Sequence, residues 1–101
     1  KDTRFTRESM AATINKRSEA LYRIYQQMEI EQPELRGSLS LHFYVNPDGS
    51  VSEVELVDSQ WDGVSGEALQ DSVIVHVKQW TFPPGAPKPV GITQPWVFEP
   101  H

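Results

Sequence analysis

Apolar residues in the first third of the chain recur at Ile14, Leu21, Ile24, Tyr25 and Met28. Intervals of seven, three, one and three put them in one stripe of a 3.6-residue period, which predicts a helix from about Ser9 to Glu31. Lys16, Arg17, Glu19, Arg23 and Gln27 fill the polar side, and Pro33 and Gly37 are placed to end the helix. Residues 1–8 are polar and charged, the composition of a frayed end or a linker. The period then drops to two. Leu39, Leu41, Phe43 and Val45 alternate with Ser40, His42, Tyr44 and Asn46, as in a strand with one buried face. Asn46-Pro47-Asp48-Gly49 supplies a turn, because Pro fixes one dihedral and Gly accepts a positive φ. Val51 to Asp58 returns with Val54 and Leu56 on one side and Glu53 and Glu55 on the other, completing a β-hairpin.

Asp58 to Gly66 reads as a polar loop carrying Trp61. Leu69, Val73, Val77 and Trp80 follow at spacings of four, four and three, one face of a second helix from Glu67 to Trp80. The β-branched run SVIVHV suits a strand as well, but length and the continuation of the stripe to Trp80 favour helix. The segment VKQWTFPPG therefore carries two periods at once, since Trp80 and Phe82 are spaced as in a strand. Its expected role is structural. Trp80 closes the helical stripe, Phe82 turns back over the same core, Pro83 and Pro84 forbid further helix, and Gly85 lets the chain swing away. Ile92 to Phe98 reads as a last strand with Ile92, Trp96 and Phe98 on one side, and Pro95 confines it to an edge. The expected fold is α+β, a three-stranded antiparallel sheet with two helices on one face in the order α-β-β-α-β. Residues 9–36 form its N-terminal helical segment and residues 37–101 the remainder.

At 101 residues this is one domain with room for a modest core. The chain has no cysteine, which excludes disulfide staples, thiolate metal sites and a cysteine nucleophile. The net charge of −5 is unevenly placed. Residues 1–37 carry seven basic and six acidic side chains, whereas from Ser38 onward Lys78 and Lys88 face eight carboxylates. That surface repels nucleic-acid backbones and anionic lipids, though solubility alone also accounts for it. The sequence opens on Lys1 rather than Met, as an excised or processed chain would, and no apolar run approaches the roughly 20 residues of a membrane span. Any anchor or export signal is expected upstream.

Candidate chemistry is sparse. His42, His76 and His101 are scattered without a metal-ligand spacing, and His101 is terminal. GVSGE at residues 63–67 lacks the spacing of a nucleophile elbow, so a hydrolase built on Ser65 is disfavoured. Glu53 and Glu55 would need a cleft that separates their proton affinities, and an open hairpin face offers none. No catalytic residue, cofactor or metal is expected. What remains is surface: an edge strand is a template for another strand. The backbone from Gly91 through Ile92, Thr93 and Gln94 to Trp96, Val97 and Phe98 is the expected docking edge, with Trp96 either core or part of the exposed surface.

The run GSLSLHFYVNPDGSVSEVELVDS, then a helix, then KQWTFPPG and ITQPWVFEP resembles the C-terminal domain of TonB and its relatives across about residues 37–99. Pro47-Asp48-Gly49, Ser59, Trp80, Phe82 and Pro84 fit the family's strand, P-D-G turn, strand, helix and W-x-F/Y-x-P pattern. In place of the Y-P-x-x-A motif of siderophore-type TonB proteins stands INKRSEALYRIYQQMEIEQPELRGSL, which is similar to the AgmX/PglI branch named for gliding-motility proteins. In QPWVFEP, Gln94 replaces the aromatic of that branch's closing strand. The resemblance implies a non-enzymatic periplasmic domain at the end of an inner-membrane-anchored protein of a Gram-negative cell envelope. It would grip an extended segment of an outer-membrane partner by strand addition and take part in energy transduction for transport through an ExbB/ExbD-type motor. Self-association within a gliding-motility or envelope complex, as a homodimer, is the alternative. A monomer with a free edge favours the first, a strand-paired dimer the second.

Overall fold

The computed structural model describes residues 6–63 and 65–99. Residues 1–5 of the polar N-terminal segment, Val64, Pro100 and His101 lie outside the described residues. The element order is α1 (Arg7–Glu31), β1 (Arg36–Val45), β2 (Val51–Asp62), α2 (Gly66–Lys78) and β3 (Val90–Phe98). The α-β-β-α-β order and the three-stranded antiparallel sheet are those expected from the sequence, with the strands arranged β2-β1-β3.

Helix α1 begins two residues before Ser9. Thr6 caps it by accepting from the Ser9 amide at 2.9 Å, while Ser9 Oγ accepts from the Thr6 amide at 2.8 Å, a reciprocal box that satisfies two otherwise orphaned donors. It ends at Glu31 ahead of Pro33, where the stripe predicts, while the segment 9–36 runs past the helix and its last residue, Arg36, opens β1. Ile14, Ser18, Leu21 and Tyr25 form its buried stripe. The Tyr25 hydroxyl donates to the Leu35 carbonyl at 2.6 Å and fixes the turn from α1 into β1.

Leu39, Leu41, Phe43 and Val45 are all buried on one face of β1, as their alternation dictates. Both helices lie over that face. Helix α2 adds Leu69, Val73 and Val77 above β2 and β1, while α1 covers β3, whose Ile92, Trp96 and Phe98 complete the core. The indole of Trp96 donates to Ser18 Oγ at 2.9 Å, so a polar residue inside the apolar stripe of α1 has a partner.

Three expectations need correction. Asp58 to Gly66 is not a loop throughout, because β2 runs to Asp62. Trp61 there pairs with Gly37, stacks on Phe98 with ring centroids 6.0 Å apart, and donates its indole N–H to Gln70 at 3.0 Å. Gly66 is the residue over which this indole passes, and any Cβ at that position would collide with it. Second, α2 ends at Lys78, well before Pro83 and Pro84, so the prolines do not stop it. Its last turn closes through amide bonds of Gln79 and Trp80 back to His76 and Val77, after which Thr81 goes extended to bridge Ser50. Third, Leu56 lies opposite the buried Leu41 yet is 47% exposed, since the bulged β2 forms the rim of the sheet.

Candidate functional site

The order β2-β1-β3 leaves two sheet edges, and they are built differently. Strand β2 has two more residues than β1 and accommodates them in two irregularities, one around Val57 and one opposite Phe43 that includes Glu53 at φ 54°. Its rim carries Glu53, Glu55, Asp58 and Asp62, all exposed. Bulges and charges are the devices that keep an edge from pairing with a further strand.

Strand β3 is protected only in part, by Pro95, and has neither bulge nor carboxylate within Val90–Phe98. Its pairing with β1 is continuous from Val90↔Val45 to Phe98↔Gly37. The direction of each backbone group follows from one hydrogen bond. The Asn46 amide donates to the Ser50 carbonyl at 2.8 Å, so Asn46 faces the second arm of the hairpin. Because the direction alternates along a strand, Tyr44, His42, Ser40 and Ser38 also face β2, while Val45, Phe43, Leu41, Leu39 and Gly37 face β3. Through the register, Val90, Ile92, Gln94, Trp96 and Phe98 bond to β1. Gly91, Thr93, Pro95 and Val97 turn their backbone groups away from the sheet, and Pro95 lacks an N–H at a place where β1 asks for none.

This phase divides the sequence-predicted docking residues. Ile92, Trp96 and Phe98 have buried side chains, and their backbone is used in the sheet. Gln94 is half-buried with its amide turned to the Pro95 carbonyl at 2.9 Å. Gly91, Thr93 and Val97 are exposed, and they carry the outward N–H and C=O groups. Of the two alternatives for Trp96, the core is the one realised: it is 2% exposed and stands edge-on to Trp80 at 6.1 Å.

The residues expected to be structural meet at one end of the sheet. Asp48 accepts from the amide and hydroxyl of Ser50, at 2.9 and 2.7 Å, and these bonds, the hydroxyl's foremost, hold its carboxyl below the usual range. Gly49 sits at φ 92°, and a Cβ there would meet the Phe82 carbonyl. The Phe82 amide donates to the Gly49 carbonyl at 2.8 Å and the Gly85 amide to the Pro47 carbonyl at 2.9 Å. Pro47-Asp48-Gly49 and the Trp80–Gly85 segment are thus one clamp. Phe82 fills the space beside Phe43 and Trp80, at 6.3 Å from each, while Pro84 stays exposed on the outside. His42 stands edge-on to Tyr44 on the uncovered sheet face, and His76 Nδ1 lies 2.8 Å from the Ser72 carbonyl.

Beside the β3 edge, between it and α1, opens a cleft of about 320 Å³ lined by Tyr22, Tyr25, Gln26, Val97 and Glu99. Sequence reasoning missed it, because α1 was read only through its apolar stripe. Ser18 was missed for the same reason, though its place four residues after Ile14 and three before Leu21 was a signal.

An α+β domain with two helices over one face of a three-stranded antiparallel sheet, and with a regular edge strand at β3, is the class this structure defines. The family model for the Gram-negative bacterial TonB protein C-terminal matches residues 27–100, and the chain belongs to that family of periplasmic interaction domains. The solution structure of the Helicobacter pylori TonB C-terminal domain is similar in fold, with a TM-score of 0.51 at 16% identity, covering 93% of this chain and 92% of that one. A comparison with curated protein sequences finds no match. Among the described residues no helix is long and apolar enough to cross a membrane.

Proposed function

We propose that this domain captures an extended segment of an outer-membrane or envelope partner by strand addition along β3, on behalf of an inner-membrane-anchored protein. The observation that carries the reading is the contrast between the edges. Strand β3 is regular over Val90–Phe98 and presents outward N–H groups at Gly91, Thr93 and Val97, whereas β2 is bulged and acidic. A partner strand gains backbone hydrogen bonds on the first and meets twist and carboxylates on the second. Coupling to an ExbB/ExbD-type motor would lie outside this domain, whose own task is to hold the segment against tension. The 25-residue α1 and the Pro-Glu-Leu turn ahead of β1 support the AgmX/PglI branch of the family.

The same edge also serves the second reading, self-association in a motility or envelope assembly, since two copies could pair β3 to β3. An amide-resolved NMR titration with extended peptides from the periplasmic N-termini of the host's outer-membrane receptors separates the two, preceded by sedimentation to fix the oligomeric state. Shifts concentrated on Gly91–Phe98 of a monomer are expected. A dimer paired through β3, or a monomer indifferent to every peptide, would overturn capture of receptor segments.

A further inference from the structure

The added strand must place every second side chain on the helix-covered face of the sheet, and there the β3 edge is not flat. Cross-strand partners point to the same face, so the residue opposite Phe98 enters the cleft between β3 and α1. Tyr22 forms its wall, 37% exposed and packed on the Phe98 ring at a centroid distance of 5.2 Å. Tyr25 lies behind, also against Phe98 at 5.4 Å, with its hydroxyl committed to the Leu35 carbonyl. Gln26 and Glu99 form the rim. The partly exposed ring of Tyr22 and the carboxylate of Glu99 suit an aliphatic stem that ends in a positive charge.

The surrounding charge agrees. Burial, and after it the carboxylate of Glu29, raise the proton affinity of the Tyr25 hydroxyl, with Glu99 adding in the same direction and Arg36 opposing. Arg36 belongs to the neighbouring cleft at the end of the sheet, which it lines with Asp62 and Glu99. Glu29 and Glu99 thus both bring negative charge to bear on Tyr25, against the positive charge of Arg36.

We propose that this cleft is a specificity pocket, receiving a lysine or arginine side chain of the captured strand at the position opposite Phe98. The pocket rests on the strand-addition reading. The backbone edge supplies affinity for any extended chain, and the pocket selects which chain and in which register. An acidic residue at that position meets Glu99 and is rejected. A small apolar residue leaves the exposed part of the Tyr22 ring uncovered.

The test is a display selection with random ten-residue peptides on the whole domain, repeated on Glu99→Gln and Glu99→Lys. Glu99 is exposed at the end of β3, so neither change threatens folding. Wild type is expected to enrich peptides with Lys or Arg at one fixed position. Glu99→Gln should bind those peptides about three- to tenfold more weakly, the range of an exposed charge and cation–π contact. Glu99→Lys should replace the basic preference by Asp or Glu. Binders that shift the amides of β3 yet show no charge preference overturn the pocket and leave strand addition standing. An absence of binders, or binders that map away from β3, overturns both.

Discussion

Two proline substitutions at adjacent positions of β3 test the phase assigned to its edge. The Gln94 amide is directed at β1 opposite Leu41, whose side chain is fully buried. Gln94→Pro removes that donor, leaves a carbonyl of β1 without its partner at a cost of about 1–3 kcal/mol, and pushes the ring towards β1. A total near 3 kcal/mol is expected. Thr93→Pro takes away an amide directed at solvent, so its cost should stay within about 1 kcal/mol. With a urea dependence of about 1–3 kcal/mol per molar, the unfolding midpoints of the two variants should differ by about 1 M. Native-state hydrogen exchange checks the same assignment without any mutation: the amides of Ile92, Gln94, Trp96 and Phe98 should be protected in the monomer, and those of Gly91, Thr93 and Val97 should exchange rapidly. In binding the ranking reverses. Thr93→Pro deletes the central outward donor and should weaken a docked peptide by about 1–3 kcal/mol, roughly 5- to 150-fold. Equal destabilisation by the two prolines, or protection at Thr93 in a dilute monomer, would refute the phase and the docking edge with it.

The clamp between turn and junction yields two further expectations. Gly49→Ala forces a side chain into φ 92° and against the Phe82 carbonyl. The left-handed backbone costs about 1–2 kcal/mol and the strained hydrogen bond about 1 more. A melting curve within 0.5 kcal/mol of wild type would show that turn and junction are not one unit. Asp48 has its folded proton affinity lowered by Ser50, so its contribution is complete above the unfolded value near 4 and is lost as pH falls through the folded value. The urea midpoint should fall as pH drops below about 4, and Ser50→Ala should flatten that fall. Parallel wild-type and Ser50→Ala profiles would show that other groups set it.

Much of the fold was legible because its elements differ in period. The alternation of β1 from Leu39 to Val45 and the P-D-G turn fixed the hairpin, and the stripe from Leu69 to Val77 chose helix over the β-branched preference of SVIVHV. Legibility stopped where a side chain's role depends on a distant partner. Ser18 belongs to the α1 stripe only because Trp96, 78 residues away, needs an acceptor. Trp61 looked like a loop residue because its alternation is interrupted by bulges, which no local pattern announces. Leu56 looked buried because alternation gives the face of a residue and not whether anything covers it. The cleft beside Tyr22 combines a helix wall with a strand edge, so neither element's pattern contains it.

The structural motif and the docking edge are also linked through register. Backbone bonds from Phe82 to Gly49 and from Gly85 to Pro47, with the bridge between Thr81 and Ser50, pin the chain to the hairpin turn shortly before β3 begins. Strand β3 then starts at Val90, opposite Val45, beside the same turn. A slip of one residue would carry Ile92, Trp96 and Phe98 to the uncovered face and turn the missing N–H of Pro95 towards β1. It would also exchange the outward backbone groups of Gly91, Thr93 and Val97 for those of their neighbours. Anchoring β3 at this end therefore decides which amides a partner strand finds, and it places Phe98 under Tyr22 at the other end of the strand. On this argument the residues of the clamp touch no partner and still set the alignment in which one can dock.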